Sequence, residues 1–444
     1  MGQVRINEGI EGFEGNGSHQ KTLNHYKQGR RQTMKRSTLL AVLVAISVAV
    51  ALFCSPLDAA PPKDKIRVGW VTSLSGVNAS GVPVTSGNVY TMWVEEVNAK
   101  GGLYIKEYGK KLPLEVIKYD DKSDIGTMTK LLEKVIMEDK VDLIFSPWDT
   151  AFLFAAAPIA TKHKMVLLGG SGGAQKLKSV IQNYPYFFQV LNFSDTQLPP
   201  LAELFSQLGV KKVYMAYIQD LHGIEYRDVA TQEFKKRNIE IIASKSFPLD
   251  VKDLSPLLKE AKASDADAFT GFLYPPHAFL AAGQAMEIGY NPKAFYMTVG
   301  PCLSQFRDAF TAKGIDGVMG AGAWNVKSSP GAKEFFDKFV KRWGFEPEGW
   351  GTLFYYSSLQ FFQQAIEEAG TLDNTKIRDV MATKTYETAL GPFKFTNNIF
   401  LNHPGEVGQW QNGVWQVIDP GPKRTAPPVY PKPAWQPPPK PDKK

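Results

Sequence analysis

The residues with the most apparent chemical potential lie in one glycine run, Gly169-Gly170-Ser171-Gly172-Gly173. The run satisfies the GxSxG spacing, in which a strand-to-helix turn presents a nucleophilic serine. His222, His277 and His403 follow it and acids are plentiful, so a serine hydrolase is one reading. Against it, glycine-rich loops match this spacing by chance, and none of the histidines sits in a catalytic context. Labelling of Ser171 by a fluorophosphonate probe would decide for it. No Lys-Ser or Lys-Thr closes the run, which excludes a phosphate-binding loop. The histidines at 163, 222, 277 and 403 are isolated, and with one cysteine left after export zinc-ligand spacing is absent. No cofactor or metal is expected.

The elements that would position these residues alternate between short aliphatic runs and amphipathic stretches, as βαβ crossovers require. Ile66 to Thr72 reads as the first strand, Thr85 to Lys100 as a helix closed by Gly101-Gly102, and Leu112 to Tyr119 as the second strand. A helix over 127–139 follows, with Leu131, Leu132, Val135 and Ile136 on one face. Then come Val141 to Phe145, a helix from Ala151 to Lys162, and Met165 to Leu168. The pattern restarts with a helix over 198–208 and strands at 212–218, 239–247, 266–273 and 294–298 separated by helices. Further on, 317–323 reads as a strand, 331–342 and 353–369 as long helices, and Asn412-Gly413 as a hairpin turn. The fold class is therefore α/β, with two doubly wound parallel-sheet lobes. Ligands bind beyond the carboxyl ends of such strands, so facing lobes would enclose a cleft.

Composition fixes the setting. Met34-Lys35-Arg36, an apolar run over 39–53 and the small residues around Ala59 or Ala60 make a signal peptide at 34–60, which places the mature protein in the periplasm. Residues 1–33 are polar and precede that complete signal, so they read as an upstream extension and Met34 as the true start. Cys54 lies inside the leader after Phe53, a poor setting for lipidation; its removal leaves Cys302 alone, with no internal disulfide possible. No other stretch is apolar enough to span a bilayer, so the chain is not an integral membrane protein. The net charge of +7 lies at the ends. Residues 1–60 carry seven basic and four acidic groups and 420–444 carry six and one, which from totals of 51 and 44 leaves 38 and 39 for 61–419. A neutral body offers no footprint for nucleic acid. Residues 420–444 hold ten prolines and read as a disordered, extended tail.

The order and spacing of VGWVTSLSG at 68–76, VNAKGG at 97–102, AAAPIA at 155–160, GFLYPPH at 271–277 and ALGPFKF at 389–395 carry a resemblance. Over about 65–419 the chain resembles the branched-chain amino-acid (leucine-binding) family of periplasmic solute-binding proteins that feed ABC transporters. The resemblance implies the type I periplasmic-binding-protein fold, two lobes joined by three crossovers with a hinge that closes on ligand. Mapped here, lobe 1 is 64–190 plus 303–385 and lobe 2 is 191–302 plus 386–419. It further implies a monomer that is not an enzyme, captures a small molecule and delivers it to ABC permease subunits. A sensor that presents its bound form to a signalling receptor is the alternative with the same fold.

The ligand contacts implied by the resemblance fall on nine residues. Ser75 lies in the loop after the first strand, at the cleft mouth. Trp148, Asp149 and Thr150 stand where the family binds the ligand carboxylate with hydroxyls and backbone N–H groups at a helix start. Asp149 replaces a usual serine and has a plain alternative role as an N-cap. Ser171 matches a small position of the second clamp, while Gly173 replaces a hydroxyl-bearing residue. Across the cleft, His222 stands where an aromatic is usual, and Tyr274 matches an aromatic that packs on the ligand; a capping histidine and a core tyrosine are the ordinary readings of both. Cys302 follows Gly300-Pro301, where leucine-binding relatives carry the acid that neutralises the ligand ammonium. A buried ammonium without a counter-charge costs several kcal/mol. Either Asp149 or another acid takes over, or the ligand is an acid with an apolar or aromatic body; the cysteine favours the second.

Overall fold

Ile66–Thr72 is a strand because its aliphatic residues serve two cores at once: Ile66, Val68 and Trp70 face one, and Val71 faces the other. In this computed structural model, which describes residues 62–436, that strand lies between parallel partners Leu114–Asp120 and Leu143–Ile144. The 1–33 extension, the 34–60 leader with Cys54, and residues 437–444 lie outside the described residues. On one face the helix Asn88–Ala99 buries Val89, Tyr90, Met92, Trp93 and Val97 in a single stripe. Tyr90 stacks on Phe145 at 4.6 Å, and Trp70 meets Tyr90 edge-on at 5.5 Å. The helix stops where expected: Gly102 has φ +102°, and a Cβ there would lie 2.1 Å from the Leu112 carbonyl oxygen.

The second lobe is one seven-stranded sheet in the order 414–417, 407–411, 318–321, 294–297, 268–272, 212–218 and 240–247. Its central strands run parallel, with helices Leu221–Lys236, Ser255–Ala263 and Pro275–Glu287 as crossovers. The hairpin at Asn412-Gly413 closes the antiparallel edge.

The lobe bounds differ from the expected ones in two places. Val318–Ala321, assigned above to lobe 1 within 303–385, pairs with Phe295 to Met297 in the second sheet. Conversely, the short strands Phe395–Thr396 and Ile399–Phe400, assigned to lobe 2 within 386–419, join Phe187–Gln189 and Leu167–Gly169 in a four-stranded sheet of the first lobe. Strands of two or three residues carry no readable alternation, and their partners are set by where the chain crosses. The tail is also corrected. Residues 420–436 are extended but docked: Trp435 Nε1 donates to Tyr290 O at 2.6 Å, Lys432 N to Lys293 O at 2.7 Å, and Gln409 Nε2 to Val429 O at 2.9 Å. Proline removes ladder donors, so side-chain amides and an indole add anchors to the backbone N–H groups that remain, such as those of Thr425, Val429 and Lys432. Burial pushes the Lys432 ammonium down to about 7. Among the described residues no helix is long and apolar enough to cross a membrane.

Three crossings, at 190–193, 322–331 and 401–406, link the lobes, and buried polar groups lace them together. Asn192 Nδ2 donates to the Glu406 carboxylate, Gly322 N to Glu406 O at 3.1 Å, and His403 Nε2 meets Val190 O at 2.9 Å. Asp419 in turn accepts from the backbone N–H groups of Glu406 and Val407. Burial, then the Asp419 charge, raises the Glu406 carboxyl well above its usual range, against the pull of Lys423. A carboxyl raised in the folded state costs stability increasingly as pH climbs from its unfolded value through its folded one. Glu406→Gln keeps the acceptor for Asn192 and removes that cost. The variant is expected to be more stable by on the order of 1 kcal/mol at pH 8 and by less at pH 5; melting curves at the two pH values check the sign.

Candidate functional site

Two helix starts from opposite lobes meet in the cleft between the crossings. Pro147-Trp148-Asp149 turns out of the strand Leu143–Ile144 into the helix Thr150–Lys162, and Asp149 sits at φ +93° to make the turn. Its Oδ1 accepts from Ala151 N at 2.8 Å, and its Oδ2 accepts from Asn78 Nδ2 at 3.3 Å. Asp149 therefore caps the helix and lines the cleft at the same time. Trp148 packs closely on Gly81, where a Cβ would lie 2.4 Å from its ring, and donates from Nε1 to Thr85 Oγ1 at 2.7 Å. Ser171 Oγ is bonded to Pro147 O at 2.7 Å, which ties the second loop to the first. At Gly173 a Cβ would come within 2.8 Å of both Asn192 O and the Tyr226 hydroxyl, so close packing excludes the side chain the family pattern would put there.

The facing wall is built by the helix Leu221–Lys236, capped by Asp220 through Gly223 N at 2.8 Å. His222 is buried, its ring 5.0 Å from that of Tyr274 and nearly parallel to it, and Tyr274 in turn lies 5.7 Å from Trp148 across the cleft. The walls close on a cavity of about 20 Å³. That holds about one water molecule, whereas small-molecule sites run to several hundred Å³. A ligand of amino-acid size enters only if the lobes separate.

Burial dominates the electrostatics. It pushes the Asp149 carboxyl up to about 7, helped by the charge of Asp220 and opposed by the N–H of Ala151. Asp220 is raised for the same reason. His222 is driven down to about 3 by burial and is a neutral imidazole at any physiological pH. The Tyr274 hydroxyl, raised by burial and then by Asp149 and Asp220, faces both carboxyls without a well-directed hydrogen bond to either. Two crowded carboxyls, a phenol and aromatic faces form a place where a cation is welcome and a further anion is repelled.

Seven of the residues singled out in the sequence, Trp148, Asp149, Thr150, Ser171, Gly173, His222 and Tyr274, line this one cavity. Two do not. Ser75 is on an exposed loop, its Oγ donating to Asp120 Oδ2 at 2.7 Å. Cys302 is turned away because Gly300, at φ +127°, starts a tight turn closed by Leu303 N to Gly300 O at 3.1 Å. Cys302 then lies beside Glu348 and lines a separate, larger cavity. It therefore carries no information about the ligand ammonium. Thr85, Leu191, Val299, Trp350 and Tyr355 also line the cleft and were missed. Tyr355 reads in sequence as one more buried position of the helix Thr352–Ala369, and Trp350 sits between glycines with no periodicity to mark it. Of the other aromatics near the proposed cleft, Phe152 and Phe272 are core and Trp324 lines the larger cavity. The hydrolytic arrangement does not form: His222, His277 and His403 bond to Thr298, Leu249 and Val190, not to Ser171.

Comparison with known proteins agrees with this architecture. The family model described as periplasmic binding protein matches residues 65–414. The chain is 24% identical over 397 residues to a Leu/Ile/Val-binding protein homolog 7 of Brucella suis, covering 85% of this chain and 96% of the relative. Among solved structures it is similar to the branched-chain amino acid substrate-binding protein LivJ of Streptococcus pneumoniae in complex with isoleucine. That match has a TM-score of 0.69, 22% identity, and coverage of 80% and 100% of the two chains. A solute binding protein of an ABC transporter from Rhodopseudomonas palustris, in complex with 3,4-dihydroxybenzoic acid, matches with a TM-score of 0.65 at 19% identity, covering 82% and 95%.

Proposed function

This chain belongs to the periplasmic binding protein family, and on that premise we propose that it is the extracytoplasmic solute-binding receptor of an ABC importer, capturing a small carboxylate-bearing ligand by hinge closure. The observation that carries this reading is the convergence of residues from both lobes on a cavity that must open to admit anything. The expected partners are the ligand and ABC permease subunits, and the signal peptide at 34–60 is the proposed route of export.

Within that reading the ligand is an α-amino acid with an apolar side chain. Its ammonium would sit against Asp149 and Asp220, where burial has made two carboxyls short of positive charge. Its carboxylate would take Thr150 and the free N–H groups at the start of the helix Thr150–Lys162, where the helix dipole favours an anion. Its side chain would lie between Trp148 and Tyr274. A second reading, an aromatic acid without an ammonium, is favoured by the stacked Tyr274 and the neutral His222.

The test is a thermal-shift screen of amino acids, aromatic acids, aliphatic acids and dicarboxylates, followed by small-angle scattering with the hit. Ligand at a hundredfold excess over its dissociation constant stabilises the bound form by about 2.7 kcal/mol. The radius of gyration should fall on binding; a hit that shifts melting without compaction would sink the hinge. With that ligand, Thr150→Ala is expected to weaken binding by about 1–3 kcal/mol, the usual loss of a hydrogen bond to a charged group, with folding little changed.

A further inference from the structure

Beside the cleft, one lobe completes a helix of the other. The helix Gln175–Val180 belongs to the first lobe, between its strands Leu167–Gly169 and Phe187–Gln189. Its N-cap position holds Ala174, which has no side-chain oxygen to accept from the first turn. Serine, threonine, aspartate or asparagine is the usual residue there, because the first N–H groups of a helix have no partner within it. Here the acceptor comes from across the cleft. Glu225, near the start of the helix Leu221–Lys236 in the second lobe, accepts from Lys176 N through Oε2 at 3.0 Å.

This contact belongs to the closed form. It exists because the two lobes have come together on a cavity with room for about one water molecule, and separating them returns carboxylate and helix start to solvent. Neither Glu225 nor any residue of Gln175–Val180 lines that cavity, so the contact is made without touching what the cleft holds. Its parts are complementary: a carboxylate stands at the positive end of a helix, beside the Lys176 side chain. Burial raises the Glu225 carboxyl, against the pull of the Lys176 N–H and ammonium and of the Gln175 N–H. Lys178 of the same helix also reaches the second lobe, at Asp195, 2.6 Å away. Asp195, however, stands two residues past the crossing at 190–193, close to the pivot.

A contact made in one form and absent from the other shifts the balance toward the first by its own free energy, wherever it lies. We propose that Glu225 is a closure latch, a positioning residue that caps Gln175–Val180 across the lobes, keeps part of the ligand-free protein closed and slows release of ligand. The latch rests on the hinge closure proposed for the cleft and adds the residue that sets its balance.

Two measurements test it. Without ligand, Glu225→Lys puts a cation where the helix start and Lys176 repel one, and its radius of gyration in small-angle scattering should exceed that of wild type. Equal radii would overturn the latch. With L-leucine as probe, stopped-flow fluorescence of Trp148 and Trp350 in the cleft should show Glu225→Ala releasing it about tenfold faster, the loss of one hydrogen bond to a charged group, with association unchanged. Ala174→Ser distinguishes a latch from a merely structural contact. A serine cap serves Lys176 N in the open form as well, so this variant should melt no lower than wild type, yet release L-leucine faster and add nothing to Glu225→Ala. Release at the wild-type rate from Glu225→Ala or from Ala174→Ser would overturn the proposal. If wild type fails to bind L-leucine while Glu225→Lys still expands, the amino-acid reading of the cleft falls and the latch stands.

Discussion

Asp149→Asn is expected to weaken binding of an α-amino acid by about 3 kcal/mol, on the order of a hundredfold, because it removes one of the two carboxyls facing the buried ammonium and leaves Asp220 alone to neutralise it. Asparagine is as good an N-cap as aspartate, so the helix Thr150–Lys162 should keep its start. The pH dependence makes the test sharper. In the closed, ligand-free fold burial and the Asp220 charge push the Asp149 carboxyl up to about 7, where it faces Asp220, the Tyr274 hydroxyl, Asn78 and the neutral His222. An ammonium binds only the carboxylate form, so below pH 7 binding must expel a proton, and affinity should fall up to tenfold per pH unit as pH drops. An organic acid would show the opposite slope and would bind the Asp149→Asn variant more tightly than wild type, since the repelling charge is gone. Stability supplies a control with its own sign. A carboxyl raised from 3.8 to about 7 by folding destabilises the ligand-free protein as pH rises across that interval. Asp149→Asn should therefore melt higher than wild type at pH 8, so that lost binding in a more stable protein cannot be put down to unfolding. Calorimetric titrations from pH 5.5 to 8.5 on both proteins settle the ligand class.

Gly223→Ala is expected to cost about 3 kcal/mol and to abolish ligand closure. A Cβ at Gly223 would stand 2.1 Å from the Ile218 carbonyl oxygen and 2.8 Å from the Ile218 nitrogen. Both are backbone atoms at the end of the strand Lys212–Ile218, which is paired on both sides, so neither can swing aside as a side chain would. Overpacking of this kind usually costs about 1–3 kcal/mol, and backbone obstruction puts it at the upper end. The strain falls on the turn that carries Asp220 and His222, so the wall behind Tyr274 shifts with it. Gly283→Ala in the neighbouring helix Pro275–Glu287 is the contrast. Its Cβ would meet only Phe310, at 3.7 Å, and the helix gains about 1 kcal/mol from alanine. Denaturant curves on the two variants should move in opposite directions.

How far the residues spoke for themselves depends on how local the signal was. Ile66–Thr72 and Lys212–Ile218 fall on the expected strands because each is a seven-residue, mostly apolar run rich in β-branched and aromatic residues and bounded by polar ones, and burial on both faces is written in that continuity. The helix Thr150–Lys162 and its capping aspartate follow from local chemistry, as does the hairpin at Asn412-Gly413. Trp148, Asp149, Ser171 and Tyr274 are legible as one group through the family resemblance, which assigns them to loops at strand ends, where a cleft between facing lobes would be lined.

Other features depend on partners distant in the chain. The helix Ser194–Gln207 begins before the expected start and carries Pro199 and Pro200 at its sixth and seventh positions, where each removes an i→i−4 donor; burial of Leu198, Leu201, Ala202, Leu204 and Phe205, not local propensity, holds it. Phe187–Gln189 and Ile399–Phe400 become strands only by pairing with each other and with Leu167–Gly169. The proline tail docks because Gln409 and Tyr290 happen to offer it hydrogen bonds, a match no composition reveals. Cys302 stands in a recognisable motif, yet one glycine torsion turns it from the cleft to another cavity. Local pattern determines which segments are strands, helices and caps, since propensity, periodicity and capping act over a few residues. Only the tertiary structure decides which side chains share a cavity, and with them the protonation of Asp149, because burial and the approach of Asp220 from the other lobe are properties of the closed fold and of no segment within it.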